Sequence, residues 1–342
     1  MKKLKVAIIG LGNILPMHLT SVLHQNDVEL AGVCDIKSDK VEKISKKYNV
    51  EGFTDYKKMI DTIKPDAVHI LTPHYLHAPM ANYALNNGVN VLSEKPMSIR
   101  LEDAIENVKL AKEKNLKYGV IFQSRYNSAS LMVKKNLDNG NLGKVLSARV
   151  VLTWSKPDSY YMLSDWKGTW DKEGGGVIID QAIHSLDLAN WFINDEPVSV
   201  FAHLDNRKHH IMEVDDSGEG LVSYKNGAVL GFYAMNNYAC DEPIEIRLCC
   251  EKGKAALSYD EGRINFNNGE TLTVEQYIDE NITYEGGKDY WGFQHIKQIR
   301  QFYDSLQGKA ELEISGEEAL KIQRIICAIY ESSKKGKAVN IC

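Results

Sequence analysis

A lysine set between a glutamate and a proline, Glu94-Lys95-Pro96, and a histidine four residues after an aspartate, Asp180 and His184, are the groups in this chain best suited to moving a proton. Held beside a sheet edge and next to a proline of fixed φ, the Lys95 ammonium could hydrogen-bond a hydroxyl and favour the alkoxide forming on it. A solvated surface lysine in a turn is the alternative, and spacing alone does not choose between them. Gly174-Gly175-Gly176 opens the stretch carrying Asp180 and His184, and helical spacing puts both on one face. An imidazole titrates near ~6.5, so it can take a proton from an alcohol, while a neighbouring carboxylate orients it and stabilises the imidazolium. A capped core helix with a structurally satisfied His184 fits the same spacing equally well. Metal binding needs a third ligand. Asp187 is a weak candidate and His209 and His210 lack ligand spacing, so no metal is expected.

A second constellation lies at the start of the chain. The apolar run Lys5 to Ile9 ends in Gly10-Leu11-Gly12-Asn13-Ile14-Leu15, directly before a helical stretch. Gly10 permits a tight turn, Gly12 lets a pyrophosphate approach the backbone, and the helix start offers unpaired N–H groups to negative charge. A ligand-free glycine turn is the alternative. Asp35 weighs against it, because it ends the second apolar run at about the ~20-residue spacing where a carboxylate meets ribose hydroxyls. Such a carboxylate repels a 2′-phosphate, so NAD is favoured over NADP, a preference that the nearby Lys37 softens.

The elements that must position these groups alternate over the first 120 residues as βαβ units do. Strands are expected at Lys5 to Ile9, Glu29 to Cys34, Ala67 to Leu71, Val89 to Leu92 and Tyr118 to Phe122, with helices such as Ser38 to Tyr48, Ala78 to Asn86 and Leu101 to Glu113 between them. Ligands of open α/β sheets bind outside the carboxyl ends of the strands, which here run out into Thr72-Pro73-His74-Tyr75-Leu76-His77, Ser93 to Pro96 and Gln123 to Asn127. After Asn127 the pattern changes. A helix over Ser128 to Asp138, a strand over Val145 to Thr153, an aromatic loop and a helix from about Val177 to Phe192 precede several strands between Val198 and Phe266. Lys225-Asn226-Gly227 and Asn267-Asn268-Gly269 punctuate hairpins there, and helices over Trp291 to Leu306 and Glu317 to Ser333 close the chain. The loop from Trp154 to Trp170 also holds Tyr160, Tyr161 and Trp166; such aromatic faces suit a sugar ring or a nicotinamide as well as a core, with Trp166 and Lys167 the better binding candidates.

The 342 residues suffice for two cores, and the change of pattern near Gln123 predicts domains at 1–123 and 124–342. Lysine and arginine nearly balance the acids, at a formal charge of -5, and no basic block marks a nucleic-acid binder. Met1-Lys2-Lys3 and the apolar run after it fall short of a signal peptide because the glycines interrupt it, and no stretch approaches a membrane span. Six scattered cysteines without a C-x-x-C pair fit a reducing cytoplasm.

Taken together the chain resembles the glucose-fructose oxidoreductase, inositol dehydrogenase and rhizopine catabolism family, Gfo/Idh/MocA. The resemblance spans Gly10-x-Gly12 with His18, Cys34-Asp35, Thr72-Pro73 with His77, Glu94-Lys95-Pro96, Arg125-Tyr126-Asn127, Trp166-Lys167-Gly168-Thr169-Trp170 and Gly175-Gly176 with Asp180 and His184. The chain departs from the family at Leu15-Pro16, where small residues are usual, and at Lys167, where arginine is common. The resemblance implies a doubly wound Rossmann domain, then a C-terminal α/β domain whose large, mainly antiparallel open sheet assembles dimers or tetramers. It implies that Lys95 and His184 flank the reacting hydroxyl with Asp180 as partner. The expected cofactor contacts are Gly10, Gly12, Asn13, Ile14, Asp35, Thr72, Pro73, His74, His77, Glu94, Lys95, Gln123 and Trp166, and the expected substrate contacts Lys95, Arg125, Tyr126, Tyr161, Asp180 and His184. The activity expected is NAD-dependent oxidation of a secondary hydroxyl on a sugar, sugar derivative or cyclitol. Glycoside hydrolysis through transient oxidation and a non-enzymatic NAD sensor are the rival readings.

Overall fold

The computed structural model describes residues 3–258, 261–275, 282, 284–287 and 293–341. The chain divides into two compact units, Met1–Gln123 with Asp279–Leu320, and Ser124–Ile278 with Lys321–Cys342. The break at Gln123 falls where the expected domains 1–123 and 124–342 meet, and the late segment 279–320 groups with the first unit.

In chain order the first unit contains β1 (Leu4–Ile9), α1 (Leu15–Leu23), β2 (Val28–Cys34), α2 (Ser38–Tyr48), β3 (Glu51–Phe53), α3 (Tyr56–Ile63), β4 (Ala67–Ile70), α4 (His74–Asn86), β5 (Asn90–Ser93), α5 (Leu101–Glu113) and β6 (Tyr118–Val120). Its six strands pair in parallel in the order β3-β2-β1-β4-β5-β6, so the order reverses between β1 and β4. Helices cover such a sheet on both faces, which is why β4 and β6 are buried along their whole length. The three-residue edge strand β3 escaped the sequence reading because a run that short carries no period. Helix α4 begins at His74, not Ala78, and carries Pro79 inside it, so His74 and His77 both lie at its start. Pro16 sits in the first turn of α1, where a missing N–H costs no hydrogen bond, so the Leu15-Pro16 departure is compatible with the turn.

The second unit contains α6 (Ser128–Asp138), β7 (Val145–Thr153), α7 (Asp158–Met162), a π-turn (Ile178–Ala182) running into α8 (Ile183–Ile193), and β8 (Pro197–Asp205), β9 (Ser217–Tyr224), β10 (Val229–Met235), β11 (Glu245–Cys250), β12 (Gly253–Leu257), β13 (Glu261–Phe266) and β14 (Thr271–Glu275). Helices α9 (His295–Leu306) and α10 (Gly316–Lys335) and a short β15 (Val339–Asn340) follow; the expected helix start at Trp291 lies outside the described residues. The nine strands run β14-β13-β12-β11-β7-β10-β9-β8-β15, antiparallel except where β10 meets β7. Burial alternates along β10 and β11, as it does when one face packs and the other is open.

Helix α9 explains why the late segment groups with the first unit. Its Ile299, Phe302 and Tyr303 are fully buried in one cluster with Val6, Ile8 and Leu92 of the parallel sheet. Its Gln298 accepts the Phe122 N–H at 3.0 Å and donates to the Val120 carbonyl at 2.8 Å, finishing the ladder beyond β6. Truncating Phe302 to Ala should therefore cost roughly 3–5 kcal/mol of unfolding free energy in a urea titration. A loss below about 1 kcal/mol would show that α9 adds little to this core.

Candidate functional site

The turn after β1 is shaped by contact with the turn after β4. Gly10 holds φ at +99°, and a Cβ there would stand 2.6 Å from the Leu71 carbonyl oxygen, so glycine is required on both counts. At Gly12 a Cβ would meet nothing within 4 Å: the backbone is open on that side, as a pyrophosphate needs. Asn13 is exposed and Ile14 half-buried just before α1. Asp35, partly exposed after β2, accepts the Leu11 N–H at 2.8 Å and the Lys37 N–H at 2.9 Å, which ties the glycine turn to the second strand. A carboxylate holds about four lone-pair sites, so ribose hydroxyls can still be accepted. The buried Oε1 of Gln123 has no hydrogen-bond partner among the described residues, a further acceptor for a ligand donor. These features fit a dinucleotide.

The Thr72-Pro73 and Glu94-Lys95-Pro96 turns are joined by His77, which is 1% exposed. Its Nε2 lies 2.7 Å from the Thr72 carbonyl oxygen and its Nδ1 2.7 Å from that of Pro96. Carbonyls only accept, so both contacts become full hydrogen bonds when the ring is an imidazolium. Burial pushes its pKa down, against the two carbonyls and Glu94, which push it up. The ring of His77, expected as a cofactor contact, lies against the backbone of the two turns. His74 is buried beside it, with ring centroids 5.8 Å apart.

Glu94, also expected as a cofactor contact, has its carboxylate engaged within the chain. Its Oε1 lies 3.1 Å from His18 Nε2 and 3.4 Å from His295 Nε2, and its Oε2 accepts the Lys95 N–H at 3.2 Å. Burial alone would raise its pKa, but hydrogen bonds from His18 and His295 outweigh that and hold it well below the usual carboxylate range. From His18 the chain continues through Nδ1 to His69 Nδ1 at 2.9 Å, and from His69 Nε2 to the Tyr303 hydroxyl at 2.9 Å. Burial lowers the pKa of both imidazoles, so each is neutral with one donor and one acceptor nitrogen. The anionic end sets the direction: Tyr303 donates to His69, His69 to His18, and His18 to Glu94. His18, Glu94 and His295 offer ligand atoms within 4.8 Å of one another, yet this hydrogen-bonding already employs them, and no metal step is derived. The lysine itself is half-buried at the carboxyl end of β5.

In the second unit, the glycines before the π-turn serve packing. A Cβ on Gly175 would stand 2.1 Å from the Tyr330 hydroxyl, and one on Gly176 1.9 Å from the Asp215 carbonyl oxygen. The Asp215 carboxylate accepts the Gly176 N–H at 2.7 Å, the Ile178 N–H at 3.1 Å and the Tyr330 hydroxyl at 2.9 Å, and so caps the helix start. Between Gly175 and Asn190 every residue is buried except Asp180 and His184. The wider π-turn that holds Asp180 was not expected from sequence; such turns recur at functional sites.

Asp180 Oδ2 accepts from Lys167 Nζ at 3.1 Å and from the Tyr160 hydroxyl at 3.2 Å, while Lys167 also donates to that hydroxyl at 2.5 Å. The Lys167 ammonium stands 4.8 Å from the ring centroid of the half-buried Trp166. Three further expected substrate contacts have the following surroundings. Arg125 forks onto Asp187 at 2.6 and 2.7 Å, both buried, so its guanidinium and the weak metal candidate neutralise each other. Tyr161 is 4% exposed and accepts from Asn236 at 2.6 Å, a core role, whereas the adjacent Tyr160 reaches Asp180. Tyr126 is 9% exposed within a 3-10 turn over Gln123–Tyr126. Sequence reading missed His69, Asp215, His295 and Tyr330; only His69, a polar residue inside a buried β4, carried a signal.

Glu173 faces Lys167 at 3.8 Å and accepts the Gly168 N–H. Burial and the Asp180 charge push its pKa up to about 8. A carboxyl whose pKa rises on folding keeps its proton in the folded chain after the unfolded chain has lost it, so stability falls as pH climbs from 4.5 to about 8. In Glu173→Gln, which stays neutral, melting temperatures measured from pH 5 to 9 should gain on the parent's as pH rises, by several degrees at the alkaline end. A pH-independent difference would count against the raised pKa.

Residues 4–122 match the Gfo/Idh/MocA model described as an oxidoreductase family with an NAD-binding Rossmann fold, and residues 130–256 match the Gfo/Idh/MocA C-terminal domain. D-glucoside 3-dehydrogenase from Escherichia coli (strain K12) is 28% identical, with 99% of this chain and 97% of that protein covered. Inositol 2-dehydrogenase from Rhizobium meliloti (strain 1021) is 23% identical, with 98% and 99% covered. Among solved structures, the WlbA dehydrogenase from Chromobacterium violaceum, in complex with NADH and UDP-GlcNAcA, is similar with a TM-score of 0.87 at 27% identity, covering 100% of this chain and 97% of that one. The parallel sheet, the mixed nine-stranded sheet and these matches over most of the length place the chain in the Gfo/Idh/MocA family of oxidoreductases with an NAD-binding Rossmann fold.

Proposed function

We propose that this chain oxidises a secondary hydroxyl on a sugar, sugar derivative or cyclitol, with NAD as the acceptor. The observation that carries this is the run from Gly175 to Asn190, in which Asp180 and His184 alone escape burial, a proton acceptor four residues after a carboxylate on an otherwise buried segment. The glucoside and inositol dehydrogenases, to which the chain is similar along nearly its whole length, support the same substrate class.

Gly10, Gly12, Asn13 and Ile14 would cradle the pyrophosphate at the start of α1, and Asp35 would accept the adenosine ribose hydroxyls. When bound, NAD supplies a nicotinamide carbon that accepts hydride. His184 takes the proton of the substrate hydroxyl, and Asp180 stabilises the imidazolium. Lys95 stabilises the alkoxide with its ammonium, and the Glu94 and His77 contacts keep its turn in place. Trp166 offers an apolar face to the sugar or nicotinamide ring.

Two smaller assignments go with this reading. Phe201 and Leu221 face each other across β8 and β9 at 52% and 54% exposure, and a second copy covering that face would make a homodimer or a larger homo-oligomer. The free thiols at Cys34, Cys240, Cys249, Cys250 and Cys327 fit a reducing cytoplasm, and no helix among the described residues is long and apolar enough to cross a membrane.

NADH formation should be screened against neutral sugars, inositols and sugar acids. On whichever compound responds, Lys95→Met should lower kcat by at least ~10²-fold while NAD binding, followed by nicotinamide-dye displacement or calorimetry, is retained. Turnover that survives the substitution removes Lys95 from the chemistry.

A further inference from the structure

The cations on the substrate side of the second unit are matched one by one with carboxylates. Arg125 is locked to Asp187, with both side chains 5% exposed or less. Lys167 stands 3.1 Å from Asp180 and 3.8 Å from Glu173. Lys156 lies 3.7 Å from Asp241, and Lys172 lies 3.9 Å from Asp165. The stretch from Trp154 to Asp180 carries Lys156, Lys167 and Lys172 against Asp158, Asp165, Asp171 and Asp180, with Glu173 held largely protonated by burial. It is therefore acidic in sum.

Recognition of a phosphate or carboxylate calls for cations aimed at the ligand, commonly an arginine fork with both N–H groups available. Here the fork of Arg125 is spent on Asp187, and a second anion brought among these residues would meet excess negative charge. A hydroxyl asks for something else: it donates to a carboxylate and accepts from an ammonium at once. Asp180 and Lys167, 3.1 Å apart with the half-buried Trp166 beside them, present that pair together with an apolar face for a ring.

We infer that the substrate side of this enzyme is built for an uncharged polyol, a neutral sugar, glycoside or cyclitol, and discriminates against phosphorylated, nucleotide-linked and carboxylated counterparts. The inference rests on the dehydrogenase reading for its substrate class and narrows it by charge.

The test compares methyl glucoside with glucose 6-phosphate, both as substrates followed by NADH formation and as ligands titrated calorimetrically into the NAD-loaded full chain. The neutral compound should lead by at least ~30-fold in kcat/KM and in affinity, and the lead should shrink as salt screens the acidic stretch. Asp241→Asn keeps an oxygen for the Ser155 N–H, which Asp241 now accepts at 2.6 Å, but unpairs Lys156. It should narrow the discrimination by roughly two- to fivefold. Glucose 6-phosphate favoured or equal to the glucoside overturns the inference, as does failure of both compounds to bind. A discrimination unmoved by Asp241→Asn removes Lys156 from it. Tighter binding of the glucoside with no NADH from any compound would leave the charge inference standing and sink the dehydrogenase reading, so the two fail separately.

Discussion

A buried carboxylate that can only accept, Glu94, is the constraint around which the edge of the parallel sheet is arranged. Its two oxygens face opposite duties: one takes N–H groups from His18 and His295, and the other takes the backbone N–H of Lys95. An ionised group at that depth is tolerated only with such partners, since burial on its own favours the neutral acid. Once Glu94 is anionic, the tautomers of His18 and His69 are fixed in turn, and a hydroxyl donor is needed at the far end. Tyr303 supplies it. The sequence-distant helix α9 therefore belongs with the first unit for a polar reason as well as an apolar one: it brings His295 to one end of the chain and Tyr303 to the other.

That dependence also marks what could be read from residues alone. The doubly wound order, the glycine turn, Asp35 and the Glu-Lys-Pro turn are local signals, each written in a few consecutive residues or in a period of two or 3.6, and each is found where it was expected. Residues whose meaning lies in a distant partner have structural partners that no local signal announces. His77 and Glu94, grouped with the cofactor, spend their side chains on carbonyls and imidazoles, and Arg125, grouped with the substrate, is consumed by Asp187. Nothing local distinguishes an arginine that will bind a ligand from one that will neutralise a buried aspartate 62 residues later. The expected boundary at Gln123 coincides with a break between the two units, but the later segment 279–320 groups with the first. A change of pattern shows where the chain leaves one sheet, but the return of α9 is visible only in the three-dimensional partners of Phe302 and Gln298.

The second unit solves a related problem with other means. A helix start with its first N–H groups buried needs acceptors, and Asp215 provides them from a loop well removed in sequence. Asp215 is in turn held by the hydroxyl of Tyr330 on α10. In sequence the three glycines only open the helical stretch; in the fold Gly175 and Gly176 are the clearance that lets Tyr330 and Asp215 close on the backbone. The outcome is a fixed base for Asp180 and His184, the two residues between Gly175 and Asn190 that are not buried.

Each unit thus supports its own polar residues with a tyrosine from a C-terminal helix, and the two supports differ in the charge they leave behind. In the first, two histidines and a backbone N–H surround Glu94, and the Lys95 ammonium stands at the adjoining residue. In the second, Lys167 is balanced by Asp180 and lies against Glu173, a group that burial keeps largely protonated below about pH 8. An oxidation that first makes an alkoxide benefits from a fixed positive charge near that oxygen and from a proton acceptor whose basicity is not drained by further cations. Pairing Lys167 with Asp180 keeps the ammonium available for hydroxyl recognition and limits the positive field beside His184. Under the proposed reading, the ion pairs of the second unit, which look like ordinary structural bridges one at a time, would together set the charge under which a neutral alcohol loses its proton.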